Sequence, residues 1–161
     1  MAVFKMGKDF DEVQDAMMMP EDWYVAEISK EVEYLPNNKM KEGGVDAPGA
    51  GYNYVINLRS VNEDPELNGR MLTMWLMAPG GDDANTFFNG RSKEDEKMER
   101  IARVVAAFQG IEDWTTLSGD EIEFVLGARA QVYVTMGLGK DGQTPQNSID
   151  IFNLLPKPVD S

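Results

Sequence analysis

Along this chain, polar and apolar residues alternate with a period of two in several short stretches and with a period near 3.6 in one long stretch. In DWYVAEI (22–28), Tyr24, Ala26 and Ile28 oppose Trp23, Val25 and Glu27, and one set faces a core. In YNYVINLRSV (52–61), Tyr52, Tyr54, Ile56 and Leu58 alternate with Asn53, Val55, Asn57 and Arg59, which predicts one apolar and one mostly polar face. RMLTMWLMA (70–78) sets Leu72, Met74 and Leu76 against Met71, Thr73, Trp75 and Met77. ARAQVYVTM (128–136) sets Ala130, Val132, Val134 and Met136 against Arg129, Gln131, Tyr133 and Thr135, and NSIDIFNLL (147–155) reads as a fifth strand. The long-period stretch is SKEDEKMERIARVVAAFQ (92–109). Ser92 is its N-cap, Glu94, Asp95 and Glu96 fill the first turn, Met98, Ile101, Ala102 and Val105 form the apolar stripe, and Gly110 ends it.

Three strands, a helix and two further strands are the order of an OB-type five-stranded barrel, a mainly β fold with the helix between strands 3 and 4. One domain over residues 1–161 is expected, with an N-terminal arm (1–19) in which 9–19 reads as a short helix or an ordered arm, and a frayed tail (156–161). A second short helix is expected through DEIEFVL, where Ser118 and Glu121 resemble a capping box and Gly127 follows. EYLPNNKMKEGGVDAPGAG (33–51) has the composition of a long flexible loop, and GLGKDGQTPQ (137–146) that of a hairpin loop.

Composition narrows the chemistry. The chain has no cysteine and no histidine, so zinc sites of the usual kind and the commonest general base are missing. No paired carboxylates stand at a catalytic spacing, and a non-enzymatic protein without cofactor or metal is expected. Asp82 and Asp83 lack the spacing of a calcium loop and read as a turn. Gly137, Gly139 and Gly142 spell a dinucleotide fingerprint, but QTPQN follows where a helix is required, so the glycines read as hairpin residues. No apolar run approaches the roughly 20 residues that span a bilayer, and the N-terminus lacks a signal peptide's apolar core. A soluble, cytoplasmic protein is the expectation.

With 15 basic and 28 acidic residues the net charge is −13, which opposes coating of duplex DNA by bulk positive potential. The middle of the chain, residues 51–110, is nearest neutrality, with 7 basic and 9 acidic residues. Aromatic residues at loop edges or out of phase with the core are Tyr34, Tyr52, Trp75, Phe87, Phe88 and Tyr133. Lys39, Lys41, Asn57, Arg59, Arg70, Arg91, Lys93, Arg129 and Lys140 are interleaved with them. Stacking platforms beside a positive track are what a nucleic-acid single strand requires. Each aromatic also has a plainer reading as a half-buried barrel residue, and Phe87 and Phe88 as anchors of their loop. Eleven methionines suit an adaptable core or a partner surface.

PEDWYVAEI (20–28), the strand at 52–61, NGRMLTMWLM (68–77), IARVVAAF (101–108) and LGARAQVYVT (126–135) together resemble phage-encoded single-stranded-DNA-binding proteins. The resemblance covers residues 9 to 155. It departs at Asp22, where a glycine is common in that family, and at PKPVDS, where bacterial relatives carry a long acidic tail that recruits partners. It implies an OB fold and binding of single-stranded DNA in replication or recombination, in a host cell's cytoplasm, beside proteins of those processes. Asn57, Arg59 and Trp75 would then line the groove floor, with Lys39, Lys41 and Lys140 reaching over it. Arg70, Arg91, Arg129 and Tyr133 would extend the track. The rival expectation is a virion or protein-interaction module on a β-barrel scaffold.

Overall fold

The computed structural model describes residues 18–117, 122–139 and 141–159. Its frame is an antiparallel sheet of six strands: β1 (Asp22–Ile28), β2 (Glu33–Pro36), β3 (Tyr52–Val61), β4 (Met71–Met77), and, defined after the helix, β7 (Arg129–Leu138) and β8 (Pro145–Ile149). Two α-helices lie within this order, the short α1 (Asn38–Gly43) and the longer α2 (Lys93–Gln109). A two-stranded ribbon, β5 (Phe87–Phe88) and β6 (Arg91–Ser92), leads into α2.

Strand β3 organises the sheet. One edge pairs with β4 from Asn53↔Met77 to Arg59↔Met71. The other edge is shared, with β2 against residues 52–55 and β1 against residues 58–61. Strand β1 then pairs with β7, and β7 with β8, so the order is β4-β3-β1-β7-β8 with β2 beside the first half of β3. Strands β4 and β8 approach each other, but no ladder joins them among the described residues, and the sheet does not close into a barrel. Pro145 opens β8 at that free edge, where a missing N–H costs no ladder bond.

The period-two reading decides which side chains go inside. Tyr24, Ala26 and Ile28 of β1, Ile56 and Leu58 of β3, Leu72, Met74 and Leu76 of β4, and Ala130, Val132 and Val134 of β7 are all buried in one core. Burying each larger one contributes about 1.5–3 kcal/mol. Met136, expected in this set, is exposed, because β7 has by then passed the end of β1 and runs out with the hairpin. Ser60 is buried in phase with Leu58; its Oγ donates to the Leu67 carbonyl (2.5 Å) and accepts from the Arg70 N–H (2.9 Å), so no polar group there is left unpaired.

Helix α2 caps the core. Ser92 Oγ accepts from the Asp95 N–H (3.1 Å), and Gly110 ends the helix at φ 75°, returning its N–H to Ala106 and Ala107 carbonyls. The buried face is Ile101, Val104, Val105 and Phe108. It is rotated from the expected stripe: Met98 is exposed and Ala102 half-buried, because the larger Phe108 and Val104 take the inward positions.

Four local expectations are corrected. Residues 33–51 are not one flexible loop, because β2 and α1 are built inside them. Asn37 caps α1, accepting from the Met40 N–H (2.9 Å) and donating from Nδ2 to the Gly49 carbonyl (2.8 Å). The helix through DEIEFVL does not form over residues 122–125; Ile122 and Phe124 both pack toward the core, a spacing of two that extended chain satisfies and a helix does not. Its capping pair, Ser118 and Glu121, lies outside the described residues, as do residues 9–17 of the helix expected over 9–19; Met18 and Met19 are not helical. The last strand stops at Ile149, where the Asp150 carboxylate accepts from the N–H groups of Phe152 (2.8 Å) and Asn153 (3.0 Å) and turns the chain. The tail is anchored through Lys157, whose backbone exchanges hydrogen bonds with Gln131 (2.8 and 3.0 Å). Of the three glycines in the 137–142 stretch, Gly142 has the positive φ (71°) that a hairpin turn uses, Gly137 is an ordinary residue of β7, and β8 follows, not a helix.

Candidate nucleic-acid interface

Alternation along β4 turns Met71, Thr73, Trp75 and Met77 outward, and the β3–β4 register places Arg59, Asn57, Val55 and Asn53 beside them on the same face. Trp75 is 56% exposed above Val55. Thr73 donates to Asn57 Oδ1 (3.2 Å), which ties down the expected contact residue Asn57. At the Met77 end the face opens into a groove that has two contiguous parts of about 750 and 860 Å³. Asn37, Asn53, Trp75, Met77, Arg100 and Phe152 line both.

The first part follows the open seam between β4 and β8 and is mostly apolar and amide in lining. The second runs between α1 and the start of α2. It gathers Lys39, Lys41, Lys93, Lys97 and Arg100 against only Asp83 and Glu96, so five basic side chains meet two acidic ones in a chain whose net charge is −13. Lys97 is committed to Asp83 (2.7 Å). Burial alone would raise the Asp83 carboxyl, but the hydrogen bonds from Lys97 and from the Gly80 N–H outweigh it and hold the group below its ordinary range. Lys39, Lys41, Lys93 and Arg100 carry the remaining positive charge. On the groove floor the Oδ1 of Asn53 is buried and meets no hydrogen-bond donor among the described residues.

A second charged cluster lies farther along the same sheet face. Glu27 of β1 is opposite Arg59 of β3 and Arg129 of β7, and its carboxylate takes a hydrogen bond from each guanidinium, that of Arg129 at 3.2 Å. Beyond it, Tyr133 meets Trp23 edge-on (5.6 Å between centroids), and the Lys157 ammonium lies 4.3 Å from the Trp23 ring centre.

Of the expected contact residues, the groove brings together Lys39, Lys41, Trp75 and Lys93, and the continuous sheet face adds Asn57, Arg59, Arg129 and Tyr133. Others are placed elsewhere. Tyr52 stacks on Tyr34 (4.8 Å, 10° between planes), on the side of β3 opposite to Trp75. Arg70 Nε donates to the Glu66 carbonyl (2.7 Å) and braces the β3–β4 turn. Arg91 pairs with Glu99 (3.5 Å). Phe87 and Phe88 are both 66% exposed on the ribbon tip and do not anchor their loop to the core; Asn89 (φ 51°) and Gly90 (φ 80°) close the two-residue turn between them and Arg91. Lys140 lies outside the described residues.

Asn53, Met77, Arg100 and Phe152 escaped the sequence reading. Arg100 sits inside a helix, where its outward charge reads as solvated, and Phe152 was counted into a strand that ends three residues earlier. No cluster of three or more acidic side chains able to hold a metal occurs among the described residues, and no helix there is long and apolar enough to cross a membrane. Compared with models of protein families and with curated proteins, the chain matches none.

Proposed function

We propose that this protein binds single-stranded DNA with little sequence preference, using the groove between α1, α2 and β4, and that it acts in phage DNA replication or recombination. The observation that carries the reading is one continuous groove in which an exposed indole, Trp75, stands among Lys39, Lys41, Lys93 and Arg100 on an otherwise acidic molecule. Single strands are bound by this combination, since every base offers a face to stack and every nucleotide a phosphate. A duplex hides its base faces, and its higher charge density is repelled by the acidic body.

The strand order supports the same reading. Leaving β2 aside, β4-β3-β1-β7-β8 is the neighbour order of an OB-type barrel whose third and fifth strands remain unpaired, with α2 under the core between the third and fourth. The groove then falls on the face formed by the second and third strands of that order. The reading is of a binding protein without cofactor.

A fluorescence titration with oligo-dT, with duplex of equal length as control, tests the proposal. The expected result is at least about tenfold tighter binding of the single strand. Equal binding of both defeats the single-strand reading, and binding of neither at low salt leaves the protein-interaction module as the better account.

A further inference from the structure

We infer that Trp75 and Phe152 are paired nucleobase platforms on opposite banks of the open seam between β4 and β8, so that a bound strand crosses the seam. The inference rests on the single-stranded-DNA reading and says where the bases go. Both rings line both parts of the groove. They reach it from different elements: Trp75 from the outward face of β4, and Phe152 from the turn just past β8.

Phe152 is not a core residue left partly uncovered. Its neighbour Ile151 takes the core position, while the Phe152 ring is 66% exposed. The turn that presents it is held by two N–H bonds to the Asp150 carboxylate. From α2, the Arg100 guanidinium lies over the ring, 4.7 Å from its centre. A planar cation there orients one face of the ring and stands ready for the phosphate beside a stacked base. On the β3 side of Trp75, Asn53 also lines both parts of the groove, and its buried Oδ1 has no donor among the described residues. Base edges carry N–H donors that meet such an acceptor. The basic excess of the adjoining groove selects a polyanion as the occupant in preference to an apolar peptide.

Sheet closure bears on this as well. A ladder between β4 and β8 would bring the two banks together and fill the space; the unpaired edges keep it open.

The test compares Phe152→Ala, Phe152→Tyr and Trp75→Ala with the wild-type protein, each titrated with oligo-dT and with an abasic oligomer of the same phosphate number. Circular dichroism and thermal melting confirm the fold, which an exposed position should leave intact. Phe152→Ala should weaken oligo-dT by roughly 5- to 150-fold, the equilibrium equivalent of one lost stack, and leave the abasic oligomer unchanged. Phe152→Tyr should restore binding. If Trp75→Ala weakens oligo-dT and Phe152→Ala does not, the paired platforms are refuted and the single-strand reading stands. If Phe152→Ala weakens both oligomers alike, the residue serves Arg100 and the phosphate track, and the inference fails. If the wild-type protein binds neither oligomer, both the inference and the reading beneath it fall.

Discussion

Arg59 and Glu27 face each other across the β1–β3 ladder, and the carboxylate that receives the Arg59 guanidinium also receives that of Arg129 from the strand on its other side. One negative charge thus orients two positive ones, each guanidinium side chain about half exposed (54% and 53%). The Arg59 hydrogen bond is the main reason that the Glu27 carboxyl is held below its ordinary value of 4.5; burial acts the other way, and Arg129 adds to the lowering.

Glu27→Gln should release both guanidiniums. If they flank the DNA path, binding of oligo-dT tightens, and the slope of log K against log[salt] steepens by about 0.7 for each of the two that gains a phosphate contact on the single strand. Because the folded value of the carboxyl is depressed, its stabilisation is present above the unfolded value and disappears as pH falls through the folded one. The variant should therefore be the less stable at neutral pH and converge with wild type in acid. Urea midpoints measured from neutrality to below pH 4.5 check this; a constant gap across that range contradicts it.

Trp75→Ala should weaken oligo-dT by about 1–3 kcal/mol while leaving the melting temperature close to wild type, because the indole is exposed and out of phase with Leu72, Met74 and Leu76. Unfolding of the variant, with normal affinity in the folded fraction, would place the indole in the core.

The salt dependence should be modest. Four cations in the groove, Lys39, Lys41, Lys93 and Arg100, predict a slope near −3, at roughly 0.7 per phosphate on a single strand. Lys41→Ala should flatten it by about 0.7 and weaken different sequences alike. A wild-type slope near zero favours the interaction module.

Stability should separate the two faces of the sheet. Leu58→Ala, at a fully buried position facing β4 and β1, should cost about 2–5 kcal/mol, whereas Met71→Ala on the outward face should stay within about 0.5 kcal/mol. Ser92→Ala should cost about 1 kcal/mol through loss of the α2 cap. Chemical denaturation of the three variants measures all of these.

Much of the frame was legible in the chain. Ile56 and Leu58 of β3 and Leu72, Met74 and Leu76 of β4 follow from alternation, because a strand has only two faces and the apolar face must be buried; for β1 alternation gives two sets, and packing chooses Tyr24, Ala26 and Ile28. The bounds of α2 follow from Ser92 and Gly110, whose side chain and left-handed backbone satisfy groups that the helix cannot satisfy itself. Segments whose pattern was short or mixed were less legible. β2 and α1 hide in a Gly- and Pro-rich stretch, since their order comes from Asn37 and from pairing with β3 and not from local propensity.

By itself, the sequence determined which side chains of the main strands share a face, where α2 begins and ends, and that any positive site must be local on a molecule of net charge −13. Those properties depend on period, on capping chemistry and on a charge sum, all of which are local or additive. Only the tertiary structure decided that Trp75, Arg100 and Phe152 line one groove, that Tyr52 does not join them, and that Arg59 and Arg129 share Glu27. Each of those outcomes is set by register between strands or by the turn after β8. Such contacts join residues far apart in the chain, and no local pattern encodes their distance.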